Sequence, residues 1–331
     1  MYNDHYGFSE RPFQLTPDPR FWFESQTHRK AMAYLGYGLT QGEGFIVITG
    51  DIGAGKTTLV AHVLETIDRS RYTAVNIVST QVDGDDMLRL VAQGLGLSID
   101  GVVKAQLLDR VERALHEQVR LRKHVLIIVD EAQNLSTSAL EELRMLSNYH
   151  IANRSAVQIM MLGQPQFRDR LRESPDLEQL RQRVIATHHL DPMEEEEVGP
   201  YILHRLGQVG YAGVPEFTSG AFAALHHATG GVPRILNTLM ARVLLNGALE
   251  DLRTIDEESV TAVVEDARAE ANSPVATAIV ALDHVAEDRI AKLEARVAEQ
   301  EVALRRVLGL LVSWIESDAS LPSGPKRSDA A

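Results

Sequence analysis

The sequence predicts an α/β fold: a parallel sheet with helices on both faces, a small all-α lid, and a C-terminal helical coiled-coil segment. Three observations predict it. From Gly44 to about His189, short apolar runs alternate with stretches of helical period. Those runs are continuously apolar, as expected of strands covered on both faces in a parallel sheet. From Asp191 the apolar runs stop and helical patterns follow one another.

Residues 1–43 read as an arm and one helix. Tyr6-Gly7-Phe8, Pro12-Phe13 and Thr16-Pro17-Asp18-Pro19 lead into Phe21-Trp22-Phe23. Proline at that density prevents regular structure until about His28, after which Ala31, Tyr34, Leu35 and Leu39 recur at helical spacing. Residues 44–190 read as the α/β domain. Phe45–Thr49 is a strand closed by Gly50, and a helix follows to Ile67. Ala74–Thr80 is a second strand, followed by helices over Asp85–Leu95 and Val103–Arg122. Val125–Val129 is a third, ending on Asp130-Glu131, with a helix over Ala139–Asn148. Val157–Leu162 and Val184–Leu190 complete the strands.

Residues 191–271 read as the helical lid. Asp191-Pro192-Met193-Glu194 predicts a helix start, with an acidic cap, proline at the first position and glutamate at the third. Further helices are expected over Ser219–Thr229, Pro233–Leu249 and Asp256–Ala269. Asn272-Ser273-Pro274 reads as a hinge. Within residues 275–316, Ile290, Leu293, Val297, Gln300, Leu304, Val307, Leu311 and Trp314 alternate three and four residues apart, the a/d seam of a coiled coil. The alternative is one amphipathic helix folded against the lid. Residues 317–331 are small, polar and proline-bearing, the composition of a disordered tail.

Composition narrows the function classes. The chain has 331 residues and no cysteine, which excludes a disulfide framework and any thiolate metal site. Its formal net charge of −13 argues against non-specific nucleic-acid binding, which needs cations against phosphate. The N-terminal residues lack the basic and apolar regions of a secretory leader. The apolar runs Val275–Leu282 and Val307–Ile315 fall far short of the roughly 20 residues that span a bilayer. The expectation is a cytoplasmic protein without a membrane span of its own.

The chemistry is carried by Gly50-Asp51-Ile52-Gly53-Ala54-Gly55-Lys56-Thr57, followed by Thr58. It fits G-x-x-x-x-G-K-[ST] at every fixed position, with an apolar strand before it and a helix after it. Glycines let such a loop wrap so that its backbone N–H groups face the phosphates of ATP. Lys56 is placed to reach the β- and γ-phosphates, the Thr57 hydroxyl to ligate Mg²⁺, and the helix opening there adds its positive end. Asp130 and Glu131 end a buried strand at its carboxyl edge, where ligands sit in open α/β sheets. Asp130 is the second candidate metal residue. Glu131 is the candidate base that orients and deprotonates the attacking water.

Asp130-Glu131-Ala132-Gln133-Asn134-Leu135, together with Tyr6-Gly7-Phe8, Pro12-Phe13 and Thr16-Pro17-Asp18-Pro19, resembles AAA+ ATPases of the general-secretion A-type group. Arg29–Thr58, with Ala31-Met32-Ala33-Tyr34-Leu35 and Gln41–Gly50, is most similar to the exosortase-associated (PEP-CTERM system) ATPases linked to bacterial exopolysaccharide loci. The resemblance spans roughly residues 1–270 and implies a P-loop NTPase fold and ATP hydrolysis. It places Gln164, in Met161-Leu162-Gly163-Gln164-Pro165, at the sensor 1 position, against the plain reading of a turn residue before Pro165. It places Arg234, in Gly230-Gly231-Val232-Pro233-Arg234, at the sensor 2 position. Arg183 falls in the arginine-finger region, with Arg181 as competitor and a solvated helix end as the plainer reading. Thr16 and Pro17 fall where the arm lines the adenine pocket of relatives.

The same resemblance implies a homo-oligomer and a protein partner in envelope polysaccharide export or an exosortase locus, with any membrane association through that partner. Secretion-type relatives continue into a membrane span and a peptidoglycan-binding region, whereas the heptad segment and tail are expected here, which sets a wall-anchoring role aside. Two other functions fit the motifs: a nucleic-acid regulator like the DNA-transposition ATPases, and a nucleotide-gated scaffold with low turnover. The acid run Glu194–Glu197 reads as a helix first turn, where negative charge suits the macrodipole. His188-His189 and His226-His227 read as structural, because adjacent side chains diverge on either a strand or a helix.

Overall fold

The computed structural model describes residues 2–78, 82–151 and 154–271. The apolar runs form five parallel strands: β1 Phe45–Gly50, β2 Tyr72–Val78, β3 His124–Asp130, β6 Val157–Gly163 and β7 Val184–Leu190. Two-residue strands β4 His150–Ile151 and β5 Arg154–Ser155 pair as a small antiparallel ribbon between β3 and β6 in the chain. The sheet order is β2-β3-β6-β1-β7, so β1 lies between β6 and β7. Phe45 pairs with Ile159 on one side, and Ile48 with His188 on the other. Tyr72 pairs with His124, which brings Val78 beside Asp130.

Alternation along each strand divides the interior into two faces. Phe45, Val47, Ile127, Val129, Ile159 and Met161 pack against helices α4 Gly84–Gly94, α5 Lys104–Arg120 and α6 Thr137–Leu146. Ile46, Ile48, Leu126, Ile128, Met160 and Leu162 face Ala31 and Leu35 of α2 Gln26–Gln41, and Leu59 and Val63 of α3 Lys56–Thr66. Because every strand runs the same way, the loops after β1, β3 and β6 open on one edge. That edge is where the nucleotide motif lies.

The lid comprises α9 Glu195–Gly207, α10 Ser219–Thr229, α11 Pro233–Leu249 and α12 Glu257–Ala271. Short strands β8 Glu216–Phe217 and β9 Thr254–Ile255 pair within it. Its apolar core contains Val198, Ile202, Leu206, Leu236, Met240 and Leu244, and also Tyr6, Phe8, Phe13 and Phe21 from the arm. The described residues up to Val264 make one compact unit.

Several local expectations are corrected. The arm is not irregular up to His28. A short helix, α1, spans Tyr2–Tyr6, a 3-10 turn spans Pro19–Phe21, and α2 begins at Gln26. Pro19 sits at the first position of its turn, where its missing N–H costs nothing, and Asp18 accepts from Arg20 N. The lid helix does not start at Asp191. Met193 N donates to Gly231 O at 3.0 Å, which holds that stretch extended, and Glu194 caps α9 in a capping box with Glu197. One Glu197 oxygen also accepts from Gln26 N at 2.7 Å, so the acid run fastens the start of α2. Helices α7 Pro165–Glu173 and α8 Glu178–Arg181 are additional to the sequence reading. The hinge, the heptad seam and the tail lie outside the described residues, as does the expected end of the second strand at Ser79 and Thr80. Among the described residues no helix is long and apolar enough to cross a membrane.

Candidate nucleotide site

The chain leaves β1 at Gly50 and re-enters a helix at Lys56. Gly53 and Gly55 both lie in the left-handed region, with φ of 89° and 95°. A Cβ on Gly53 would stand 2.6 Å from Arg234 Cβ, and one on Gly55 2.9 Å from His28 Nε2. Conformation and crowding thus both require glycine here. Successive N–H groups of such a turn, followed by the start of the eleven-residue α3, make an anion-binding concavity.

Lys56 is buried at 6% exposure and its Nζ arches back over the loop. It donates to Gly50 O at 2.8 Å and Asp51 O at 3.0 Å. Burial pushes its ammonium below the ordinary range, opposed by Glu131, Asp130 and Asp51. Thr57 Oγ1 donates to Asp130 Oδ2 at 2.9 Å, while Asp130 Oδ1 accepts from Glu131 N at 2.9 Å. Burial raises the Asp130 carboxyl above the usual carboxylate range, with the Thr57 bond pulling the other way. Glu131 holds a left-handed backbone, φ 55° and ψ 42°, uncommon for a residue with a side chain and typical of strained functional positions.

Gln133 is missing from the sequence reading of the site. Its Nε2 donates to Glu131 Oε2, and its Oε1 accepts from Gln164 N at 3.0 Å. The side chain therefore spans the end of β3 and the end of β6. No spacing signal marks it, because it sits on a single 3-10 turn (Ala132–Asn134). Gln164 opens α7 and lines the same cavity as Glu131. Arg234, in the first turn of α11, donates its backbone N–H to Gly53 O at 3.3 Å and lines that cavity too.

The cavity, ≈ 400 Å³ in volume, has three walls. One is the loop with Lys56, Thr57 and Thr58. The second is the lid, with Met193, Tyr201, Arg205 and Asn237. The third is the arm, with Leu15, Pro17, Phe21, Trp22 and Phe23. Pro17 lines it as expected, whereas Thr16 lies on a different cavity beside Arg11 and Leu245. Arm and lid are joined by Arg205, whose Nε donates to Pro12 O at 2.7 Å and Nη1 to Tyr201 Oη at 3.1 Å. Tyr201 in turn donates to Asn237 Oδ1 at 2.7 Å.

Arg183 and Arg181, expected to act on a neighbouring copy's nucleotide, lie away from this loop. Arg183 precedes β7, at the amino edge of the sheet, and its Nη1 donates to Ser147 Oγ at 3.2 Å. Arg181 Nη1 donates to Arg172 O at 2.7 Å, and the guanidinium is paired with Glu178. Three of the four paired histidines are held by hydrogen bonds to neighbouring elements. His188 Nε2 meets Thr27 O at 3.0 Å, His189 Nδ1 meets Thr49 Oγ1 at 3.0 Å, and His226 Nε2 meets Met193 O at 3.2 Å. Among the described residues, no cluster of three or more histidine or carboxylate side chains could hold a metal by itself.

Residues 39–171 match the family described as AAA domain. Over 246 residues the chain is 35% identical to General secretion pathway protein A of Aeromonas hydrophila, covering 74% of this chain and 44% of that protein. The chain thus spans less than half the length of this relative. Among solved structures, the ORC2 protein of Aeropyrum pernix in its ADP form superposes with a TM-score of 0.58 at 16% identity, covering 78% of this chain and 73% of that one. Drosophila ORC bound to DNA gives a TM-score of 0.57 at 16% identity, covering 78% and 65%. At such identities the likeness shows the fold alone.

Proposed function

We propose that this chain, which belongs to the AAA+ class of P-loop ATPases, binds Mg-ATP at Gly50–Thr58 and hydrolyses it to switch a protein partner. The observation that carries the reading is convergence. Lys56, Thr57, Asp130, Glu131 and Gln164 come from the ends of three adjacent parallel strands and meet at one edge.

The loop N–H groups and the α3 terminus bind the phosphates. Lys56 exchanges its two loop carbonyls for the β- and γ-phosphate oxygens. The Thr57 hydroxyl and the Asp130 carboxylate are hard oxygen donors already in contact, a set that suits Mg²⁺, which keeps most of its other positions for water and phosphate. Thr57 and Asp130 would hold the ion, and the chemistry it would supply is neutralisation of phosphate charge. Glu131 orients the attacking water and takes its proton, with Gln133 fixing the carboxylate and tying it to Gln164. Arg234, already against Gly53, links the lid (191–271) to the nucleotide on the ATPase core (44–190), with the arm (1–43) closing the third wall.

The phosphates are completed in a homo-oligomer by an arginine of a neighbouring copy, Arg183 or Arg181, both of which lie away from their own loop. The likeness to General secretion pathway protein A supports an envelope-export partner. The residues of Arg29–Thr58 support placing that partner in exopolysaccharide production, at the cytoplasmic side of the inner membrane. The net charge of −13 weighs against nucleic acid as the partner.

The test is phosphate release by the purified chain with and without Mg²⁺, beside retention of ATP by the Glu131→Gln variant. Tight retention with no release by the parent would favour the scaffold reading. Capturing the ATP-loaded variant with its partner would then test the export role.

A further inference from the structure

His28 lines the nucleotide cavity beside the phosphate loop, in an unusual state. It lies in the first turn of α2 and is 7% exposed. Its Nδ1 is 2.7 Å from Ser25 Oγ, and that same oxygen caps the helix by accepting from His28 N at 3.4 Å. The Ser25 hydroxyl can donate to Nδ1 while its oxygen accepts from His28 N, and with that tautomer the ring proton sits on Nε2. That Nε2 is buried and makes no hydrogen bond. It faces Gly55, so closely that a Cβ there would stand 2.9 Å away. The Gly55 carbonyl accepts from Leu59 N at 2.9 Å and keeps a second lone pair.

A buried N–H without a partner costs stability. An apolar side chain of similar size would avoid that cost, so packing alone does not account for a histidine. The surroundings fix the ring in place. Trp22 meets it edge-on at 4.9 Å and stacks at 4.1 Å on His62, which belongs to α3, the helix that carries Lys56 and Thr57. The arm is therefore clipped to the loop and to its helix through one aromatic group.

The geometry points to His28 as a positioning residue for the phosphate loop: its Nε2–H braces Gly55, donating to the Gly55 carbonyl as the loop settles around bound phosphate. This rests on the ATPase reading above and deepens it. Nε2 makes no well-formed hydrogen bond to the loop as it stands, and completing one as the loop settles favours binding over the free state. It touches no reacting atom, so its effect falls on binding and leaves the chemical step alone.

The test compares the full-length parent with His28→Leu and His28→Gln, measuring KM and kcat for phosphate release, ATP binding by equilibrium dialysis, and Tm. His28→Leu is expected to keep or raise Tm while KM and the dissociation constant for ATP rise about tenfold, with kcat at saturation within about twofold. His28→Gln, which restores a polar group near Gly55, is expected to recover most of the lost affinity. Parental affinity in His28→Leu overturns the proposal. So does a joint fall of Tm and affinity in that variant, which would mark the ring as packing only. A parent that binds no ATP overturns the ATPase reading and the brace together, whereas a binding parent with an equally binding His28→Leu overturns the brace alone.

Discussion

The hydroxyl of Thr57 and the carboxylate of Asp130 are hydrogen-bonded at 2.9 Å, joining the first turn of α3 to the end of β3. Two strands separated in the sheet by β6 thus deliver the metal donors as a ready pair. Burial holds the Asp130 carboxyl above its ordinary range. Between that range and the raised value the native state binds more protons than the unfolded one, so this group makes the apo protein less stable as pH rises through the window. Asp130→Asn is therefore expected to leave the Tm of the apo protein unchanged or higher at neutral pH, to flatten that slope, and to abolish Mg²⁺-dependent turnover. Thermal scans across pH and a phosphate-release assay check both halves. Retained Mg²⁺-dependent turnover would remove Asp130 from the metal site.

Lys56 and Glu131 divide binding from chemistry. Lys56→Ala is expected to eliminate ATP binding, since Lys56 is the cation that the loop itself supplies to the cavity, Arg205 and Arg234 lining it from the lid. Glu131→Gln should bind ATP as the parent does and lose turnover by at least about 100-fold, the scale of a general-base contribution. Hydrolysis by Glu131→Gln at the parental rate would end the base assignment.

Gln133 offers a sharper test of the site's internal order. Gln133→Leu keeps the volume and removes both the donor to Glu131 and the acceptor for Gln164 N. Turnover should fall about tenfold to 100-fold through misplacement of Glu131, with the KM for ATP little changed. A rise in KM with intact kcat would instead place Gln133 in ground-state binding.

Acid stability should carry the mark of His28. Burial first, with His188 and His62 adding to it, lowers its pKa to about 4, although the Gly55 backbone opposes the shift. The unfolded chain then protonates before the native one. The contribution is complete above about 6.5 and is lost as pH falls from there toward about 4. Burial also lowers His62 and His188, so the parent's own slope is composite. The difference in Tm between the parent and His28→Leu isolates the residue. It should widen in favour of the variant as pH falls through that window, and a constant difference would contradict a neutral buried ring.

Much of the sheet was legible because strands covered on both faces leave no polar alternation to misread. Val184–Leu190 and the helices Ser219–Thr229 and Pro233–Leu249 have the bounds their patterns predict. The phosphate loop was legible because its chemistry depends on glycines at fixed separations. The arm was not. Tyr6, Phe8, Phe13 and Phe21 belong to the lid's interior, and no periodicity within the arm announces partners so distant in the chain. Asp191-Pro192 satisfies the local rules for a helix start, but a tertiary bond from Met193 to Gly231 overrides them and α9 begins only at Glu195. Gln133 and His28 escaped because a side chain that acts through a neighbour needs no particular spacing.

The bond from Tyr6 to Leu252 spans 246 positions. A ribosome therefore releases the arm long before the helices that will shelter its aromatic rings exist. Throughout elongation those rings face solvent beside a sheet that can already close, which makes the nascent chain a natural client for chaperones. Lid assembly then has to wait until Leu252 has been made. A polypeptide truncated between Leu190 and Leu252 would carry the whole sheet and its phosphate loop but leave the arm's aromatic rings without the helices that cover them, a feature by which quality control can recognise it.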